Sequence, residues 1–520
     1  MLSRLLRSRS GNPAPFENLE QRTLMAADLT VSVGGLQTVN ANGATNLRMP
    51  VTVSNVGNTP LVGGGRVEFY LSSNRTLDEN DFLFESRPLP RLGRPGSASR
   101  FTLDAPLPAN LAPAVGRPLA AGNYFVIARV VPTRANADTR TANNVAASTT
   151  TANVSYDFGT VNGRSDVFLN LTLPDGDIVR IGLNGPGTGR VVNVGNRLVV
   201  VVNGTNHQSI LSMTPVRGDP TLNGLDINGT IKDIIADRVH IDGDIDIAGS
   251  VGSVTLGNVS NSNFVVRGFG NWGATLGNVT NTTITSNLSP LRGLHVNQWV
   301  DSDGVRDVIA VPYIGTLASN GDFAASPRIL SNNKGFAIEK VDIQGTLRAG
   351  AWQINSSVET INVGAIAADW GGSIRGEVNQ FNVGRNLSGT LAIGSVRRLI
   401  IGGNVTNANI LVGANLGADG RLGGTGANQD TFQAGAVGIL EIRGGVSNSV
   451  IAAGLQTTDA TLLDEDDRVI QGGFFSAINV RRQVTNSKFV GETIPQRARI
   501  NGRVVNTANN AIFVRTLGAP

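Results

Sequence analysis

The chain contains no cysteine, which excludes disulfides, thiolate metal sites and cysteine nucleophiles together. Histidine is nearly as scarce, with three in all. His207 and His295 stand alone without metal-ligand spacing, so structural or surface roles are expected for both. Only 5% of residues are aromatic and 16% charged, and the formal net charge is +4 over 520 residues. That charge is too small to imply nucleic acid or an anionic membrane as a partner. The pI near 9.7 reflects a shortage of groups titrating between the acidic and basic extremes. Apart from the pairs at 397–398 and 481–482, the arginines are scattered singly and read as solvated outward positions. No run approaches 18 apolar residues, and the longest, "LVVVV" at 198–202, has strand length. Nothing therefore reads as a membrane-spanning helix. No Gly-x-Ser-x-Gly and no Walker loop occurs, so nucleotide chemistry is not supported.

What remains is a chain of 40% apolar residues with 64 glycines, rich in Asn, Thr, Val and Ile. That mixture disfavours helices and suits short strands joined by tight turns. The fold class is all-β, and the length implies two or three units.

The strongest internal signal is a recurring phrase: an apolar pair, glycine, then Val-Thr-Asn or Val-Ser-Asn. It occurs as "VGSVTLGNVSNSNFVV" from Val251, "WGATLGNVTNTTIT" from Trp272, "VRRLIIGGNVTNANILV" from Val396 and "VGILEIRGGVSNSVIA" from Val437. Leu256, Leu276 and Val296 are spaced 20 and 20; Ile343, Val363, Val383 and Ile401 are spaced 20, 20 and 18; Ile442 and Val480 follow at wider gaps. A period near 20 built of short strands is a solenoid signature. Leucine-rich repeats have similar periods but need fixed leucines and a helical half, so the expectation is a right-handed parallel β-helix over 225–520. Val254/Leu256, Ala274/Leu276, Leu399/Ile401 and Leu440/Ile442 should point inward as stacked pairs. The glycines after them should take φ > 0 at a sharp corner. Asn261, Asn281, Asn407, Asn448 and Asn486 should occupy a second corner, where Asn tolerates the left-handed region and its amide can bond neighbouring rungs. The phrase is thus a stacking device, not a catalytic signature. Three stretches, 297–327, 414–435 and 455–469, interrupt the period and read as insertions projecting from the coil, where solenoids usually carry binding.

Before the repeats, residues 151–224 read as a β-rich cap or first rungs, following a Thr/Ala-rich joint at 146–155. Residues 27–150 alternate with period two between Gly, Asn and Pro, as strands of an antiparallel sandwich do. Its "VTVSNVGNTP", "VEFYLSSNRTLDENDFLF", "LAAGNYFVIARV" and closing "TRTANN" resemble, in that order, a CARDB-type immunoglobulin-like adhesion module. At the amino terminus no apolar core of signal-peptide length is present. Residues 16–25, "FENLEQRTLM", resemble the LEPR-XLL segment that opens many large planctomycete surface or exported proteins. They depart from it at Gln21, where Pro is usual, and at Met25, where Leu is usual. The repeats resemble the β-strand passenger regions found behind such segments. These resemblances imply an exported, extracellular or envelope-associated protein, with residues 1–26 as a disordered export segment.

Three acidic stretches are candidates for chemistry. "LDENDF", with Asp78, Asn80 and Asp81, and "DSDGVRD", with Asp301, Asp303 and Asp307, cluster the hard oxygens calcium prefers. The second lacks the Glu that closes a full EF-hand loop, with Val311-Pro312-Tyr313 in its place. Calcium is the one cofactor these residues suggest. "DRVHIDGDIDIAG" sets His240, Asp242, Asp244 and Asp246 against Val239, Ile241, Ile245 and Ile247, so alternation puts the four polar groups on one outward face. That could be an acid/base or metal-binding surface, or a solvated strand face. "LDEDDR", with Asp464, Glu465, Asp466 and Asp467, reads as a self-repelling, solvated loop tip. The Asn-x-Ser/Thr triplets at Asn203, Asn278 and Asn404 are expected by chance in such a chain.

The functional expectation is a non-catalytic structural or adhesion protein whose β-helix presents an extended surface to envelope polysaccharide or protein. The alternative is a polysaccharide lyase or glycoside hydrolase, which would need carboxylates and a basic group converging from separate rungs. No nucleic-acid partner is implied, and no oligomeric state follows from the sequence.

Overall fold

The computed structural model describes residues 27–517, apart from 42–43, 62–63, 93, 108, 111–118, 134–137, 139, 195–196 and 330–334. The LEPR-XLL-like residues 16–25 lie outside the described residues. The only helical elements among the described residues are two single 3-10 turns, Thr141–Asn143 and Gly426–Asn428. Everything else is strand and turn, in two compact units divided near Asn153.

The first unit is a β-sandwich. One sheet gathers Leu29–Val33, Gln37–Ala41 and Ala98–Pro106 around the long strand Ala44–Asn55. The other runs in the order Phe82–Pro88, Gly65–Ser72, Gly122–Pro132, Val145–Val154. Leu47, Met49, Val51 and Val53 alternate inward, and Val67, Phe69 and Leu71 do the same on the opposite sheet. Phe69 and Phe101 meet edge-on at 6.4 Å between the sheets. The asparagine of "VTVSNVG" is fully buried: Asn55 Nδ2 donates to the Thr59 carbonyl at 2.8 Å, and its Oδ1 accepts from the Gly57 N–H.

The second unit is a β-solenoid of about 15 turns. It begins in antiparallel layers. Asp157–Val161 pairs with Arg164–Val167 and Thr188–Val194, and Leu169–Thr172 with Ile178–Asn184. These strands rest antiparallel on Arg197–Asn203 and Ile210–Arg217, on which the next lap is laid in parallel. From there each lap visits three faces in turn. The first face opens with Arg197–Asn203, Gly224–Asn228 and Ile245–Ile247; the second with Ile210–Arg217, Ile231–Ala236 and Val251–Leu256; the third with Thr221–Leu222 and His240–Asp242. At the far end Arg497–Ile500 lies parallel to the preceding lap but antiparallel to Arg503–Asn506, and Phe513–Val514 adds a last parallel strand to Lys488–Val490.

Register confirms the apolar columns. On the second face Leu276 stacks on Val296, Ile343 on Val363, Val363 on Val383, Val383 on Ile401, Ile401 on Ile442 and Ile442 on Val480. Val254 lies beside Ala274, so Leu256 and Leu276 belong to adjacent laps. The third face carries its own column: Leu222, Ile241, Val259, Val279, Trp299, Phe323, Leu347, Ile366, Leu387, Val405, Val446 and Val484. The largest side chains fill the interior, with Trp299 against Phe323 at 5.7 Å and Trp352 against Trp370 at 5.7 Å. Each fully buried aliphatic or aromatic side chain contributes roughly 1.5–3 kcal/mol, but only once a neighbouring lap covers it.

Three expectations need correction. The stretch 297–327 is not an insertion. It holds the regular strands Val308–Ala310 and Ile314–Ser319, and Val296 stacks on Ser319, which stacks on Ile343. A serine in the inward column hid this lap; it is buried, its hydroxyl donating to the Gly321 carbonyl. The corner glycines do not take positive φ either: Gly257, Gly277, Gly402 and Gly444 are absent from the left-handed residues. They are glycine because the corners nest so closely. A Cβ on Gly402 would fall 2.2 Å from the Gly384 carbonyl oxygen, and one on Gly444 would fall 2.3 Å from that of Gly403.

Finally, the two true insertions do not project. Asn415 hydrogen-bonds back to Ser373, the Gly417 carbonyl to Gln353, and the Ala418 and Asp419 carbonyls to the Arg306 guanidinium. Together the insertions roof the outer side of the first face. They enclose a second small core of Ala392, Leu411, Ala414, Leu416, Ala452, Leu455 and Val490.

Candidate functional site

The asparagine corner is the clearest constellation foreseen in the sequence. Asn261, Asn281, Asn407, Asn448 and Asn486 all have φ between 44° and 49°, the left-handed region. Asparagine enters this region at lower cost than other L-residues. The amides also stack: Asn486 Nδ2 donates to Asn448 Oδ1 at 2.8 Å, and Asn281 Nδ2 reaches Asn261 Oδ1 at 3.5 Å. The small polar residue that follows closes the corner. Ser449 Oγ donates to the Ser447 carbonyl while accepting the Ala408 N–H, and Ser487 Oγ donates to the Thr485 carbonyl while accepting the Ser449 N–H.

The acid/base candidate is distributed otherwise than alternation implies. Gly243, at φ 143°, bends the chain between His240–Asp242 and Ile245–Ile247. His240 and Asp242 therefore lie on the third face, Asp244 beside the corner and Asp246 on the first face. Each is an acceptor for the lap above. His240 Nδ1 accepts the Asn258 N–H at 2.8 Å. Asp242 Oδ1 accepts from Ser260 Oγ at 2.8 Å and Asn261 Nδ2 at 2.7 Å. Asp244 Oδ1 accepts the Asn263 N–H at 2.9 Å, and Asp246 Oδ2 pairs with Arg267 at 2.6 Å. Asp246 Oδ1 is buried without a hydrogen bond. This strand pair staples one lap to the next. His207 and His295 are both exposed.

The acidic stretches proposed for calcium are turned inward on their own turns. Asp78 Oδ1 accepts the Asn80 N–H at 2.8 Å, and buried Asp81 accepts the Asp78 N–H at 2.9 Å. Asp303 Oδ1 accepts the Val305 N–H at 2.8 Å, and Asp301 Oδ2 accepts the Asp307 N–H at 3.4 Å. Asp307 is buried, 3% exposed, and its Oδ2 accepts the Trp299 indole N–H at 2.7 Å. Burial pushes its carboxyl up to about 6, against the lowering effect of that hydrogen bond. Burial likewise raises Asp301.

Two features escape the sequence. One is an open groove of about 500 Å³ on the third face, lined by Asn404, Thr406, Ser447, Gln483, Thr485 and Asn501. Its hydroxyls are in register, Thr406 beside Ser447 and Ser447 beside Thr485. The other is the acidic trio Asp459, Asp464 and Asp466, whose carboxylate oxygens lie within 4.8 Å of one another. The residues were visible in the chain, but their convergence depends on how the insertion folds.

No family model matches the sequence, and none of the curated proteins is similar to it. Among solved structures, the CARDB domain of the PF1109 protein of Pyrococcus furiosus, in complex with di-metal ions, is similar to part of the chain. The identity is 24% and the TM-score 0.17, covering 24% of this chain and 92% of that one. β-Glucosidase 3B of Thermotoga neapolitana is also similar, at 23% identity with glucose bound and 19% with α-D-glucose. The TM-scores are 0.16 and 0.15, covering 24% of this chain and 16% of the glucosidase.

Proposed function

We propose that this chain is an exported, non-catalytic structural or adhesion protein whose solenoid presents its outer faces to envelope polysaccharide or protein. The observation that carries this reading is the fate of the best acid/base candidate. His240, Asp242, Asp244 and Asp246 each accept a hydrogen bond or ion pair from the lap above. A general base needs a lone pair within reach of a substrate proton, and here one acceptor atom of each residue is engaged by the lap above while the second oxygen of Asp246 is buried. The second face supports the same reading. Its outward column, from Thr255 and Thr275 through His295 to Asn362 and Asn382, runs lap after lap without a break in pairing. Such a surface suits multivalent contact with a repeating polymer.

The test is binding of the full chain to a glycan array, to isolated envelope polysaccharides and to envelope proteins, with a reducing-end assay on every bound glycan. Binding without new reducing ends supports the proposal. Turnover of any glycan overturns its non-catalytic part, and an absence of binding to both envelope glycans and envelope proteins overturns the adhesive part.

A further inference from the structure

The small net charge of the whole chain conceals an uneven distribution. Residues 470–517 hold seven basic residues against one acid, Glu492, a surplus larger than the +4 of all 520 residues. Three of the seven serve the fold. Arg481 shares Glu441 with Arg443, Lys488 Nζ donates to the Ala511 carbonyl, and Arg515 donates to the Thr507 and Ile494 carbonyls. The other four, Arg482, Arg497, Arg499 and Arg503, are exposed, and among the described residues none of them forms an ion pair. Exposed cations without a partner of opposite sign raise the local potential and draw anions.

The last laps gather this charge at the open groove on the third face. The Asn501 N–H donates to the Val480 carbonyl at 2.9 Å, so the tip of the hairpin between Arg497–Ile500 and Arg503–Asn506 lies against the corner that holds Arg482. Arg482 and Asn501 both line the groove of about 500 Å³, and no carboxylate does. Arg499 and Arg503 stand two residues to either side of Asn501. Around them the groove offers donors. Gln483, Thr485 and Asn501 are exposed. Asn404 Oδ1 is taken by the Gly445 N–H, which leaves its Nδ2 to donate outward. We propose that this groove binds an acidic polysaccharide, with Arg482 and Arg499 holding sugar carboxylates and the amides and hydroxyls holding the sugar oxygens. The inference rests on the polysaccharide-presenting role proposed above, and adds the class of polymer and the place it binds. A guanidinium presents paired N–H donors in the fork that fits a carboxylate. No aromatic side chain lines the groove to stack a nucleobase, which favours a polysaccharide over single-stranded nucleic acid.

The experiment measures affinity of the full chain for immobilised polygalacturonate, for neutral dextran and for oligothymidylate. Polygalacturonate should bind, dextran should not, and oligothymidylate should bind more weakly than polygalacturonate. Raising NaCl from about 0.05 to about 0.5 M should weaken the binding, because salt screens exposed charges. R482Q/R499Q should lower affinity for polygalacturonate by at least roughly tenfold. R164Q, which removes an exposed arginine from the antiparallel layers that open the solenoid, should bind like the wild type. Unchanged hydrogen exchange over 484–490 shows that each variant keeps its last laps. Failure of polygalacturonate to bind, unaltered affinity in R482Q/R499Q, or an equal loss in R164Q would each overturn the site. Dextran bound as tightly would overturn the acidic class, and oligothymidylate bound more tightly would make the groove a nucleic-acid site instead. If any of these results comes with binding to other envelope glycans, the adhesive reading stands and only this site is lost.

Discussion

Replacing Asn448 with alanine and with glycine separates the two roles assigned to the corner asparagines. Asn448 sits at φ 48° between Val446–Ser447 and Val450–Ala453, and its Oδ1 accepts Asn486 Nδ2 at 2.8 Å. Alanine loses the amide bond, about 0.5–1.5 kcal/mol, and must hold a left-handed backbone at about 1–2 kcal/mol. Glycine loses the same bond but meets no Cβ clash; its added unfolded-state entropy costs about 0.5–1 kcal/mol. The expected order is wild type, then N448G, then N448A, the alanine variant down by about 1.5–3.5 kcal/mol. Hydrogen exchange read by mass spectrometry measures this locally, since a solenoid need not unfold as one unit. The Asn448 N–H is held by the Thr485 carbonyl and the Lys488 N–H by the Ser449 carbonyl, so peptides over 446–453 and 484–490 are the reporters. Protection there should fall by about tenfold to a few hundredfold in N448A, since 1.4 kcal/mol is a factor of ten, and less in N448G. Peptides over 251–266 should not change. If alanine proves as well protected as glycine, the left-handed backbone is not what selects asparagine at this corner, and the reasoning fails.

Other perturbations read other parts of the design. Asp307 titrates near 6 in the fold against an ordinary value of 3.8, so the folded state holds its proton more tightly. Its contribution is fully present below about pH 4 and is lost as pH rises through about 6, a difference of at most about 3 kcal/mol. D307N keeps an acceptor for the Trp299 indole N–H. It should be the more stable protein at pH 8 in urea melts followed by tryptophan emission, with the advantage vanishing near pH 4; an advantage that grows toward acid would reverse the sign argued here. G402A, forced against the Gly384 carbonyl, should cost about 1–3 kcal/mol. G335A, which meets no atom within 4 Å, should stay within about 0.5 kcal/mol of wild type in the same melts. Phe381 is 1% exposed, between Ile361 and Leu399 in the second-face column. F381A should lower stability by about 3–5 kcal/mol, and a smaller loss would mean that the column collapses around the gap.

How much was legible follows from which contacts are local in register. Leu276, Val296, Val363 and Val383 announce the stack because like must lie on like at a fixed interval, and a single chain carries that interval openly. Asn448 announces its corner because left-handed tolerance belongs to the residue itself. Ser319 concealed a lap because its hydroxyl is satisfied by the Gly321 carbonyl, a bond that no polarity pattern reveals. The reason for Gly402 is hidden, since the sequence shows the absence of a side chain and not the Gly384 backbone that makes it necessary. Alternation misplaces the acidic strand because it presumes a straight strand, and Gly243 bends this one. The folding back of the first insertion depends on Arg306 meeting the Ala418 carbonyl across 112 residues, a contact without any periodic trace. These cases share a cause. Within the repeat, polar side chains such as Asp242 and Asp244 accept hydrogen bonds from the lap above, so the residues that look most like chemistry also hold the laps together. What the regular laps keep for a partner is therefore their outward columns, such as Thr255, Thr275 and His295, whose spacing periodicity itself sets.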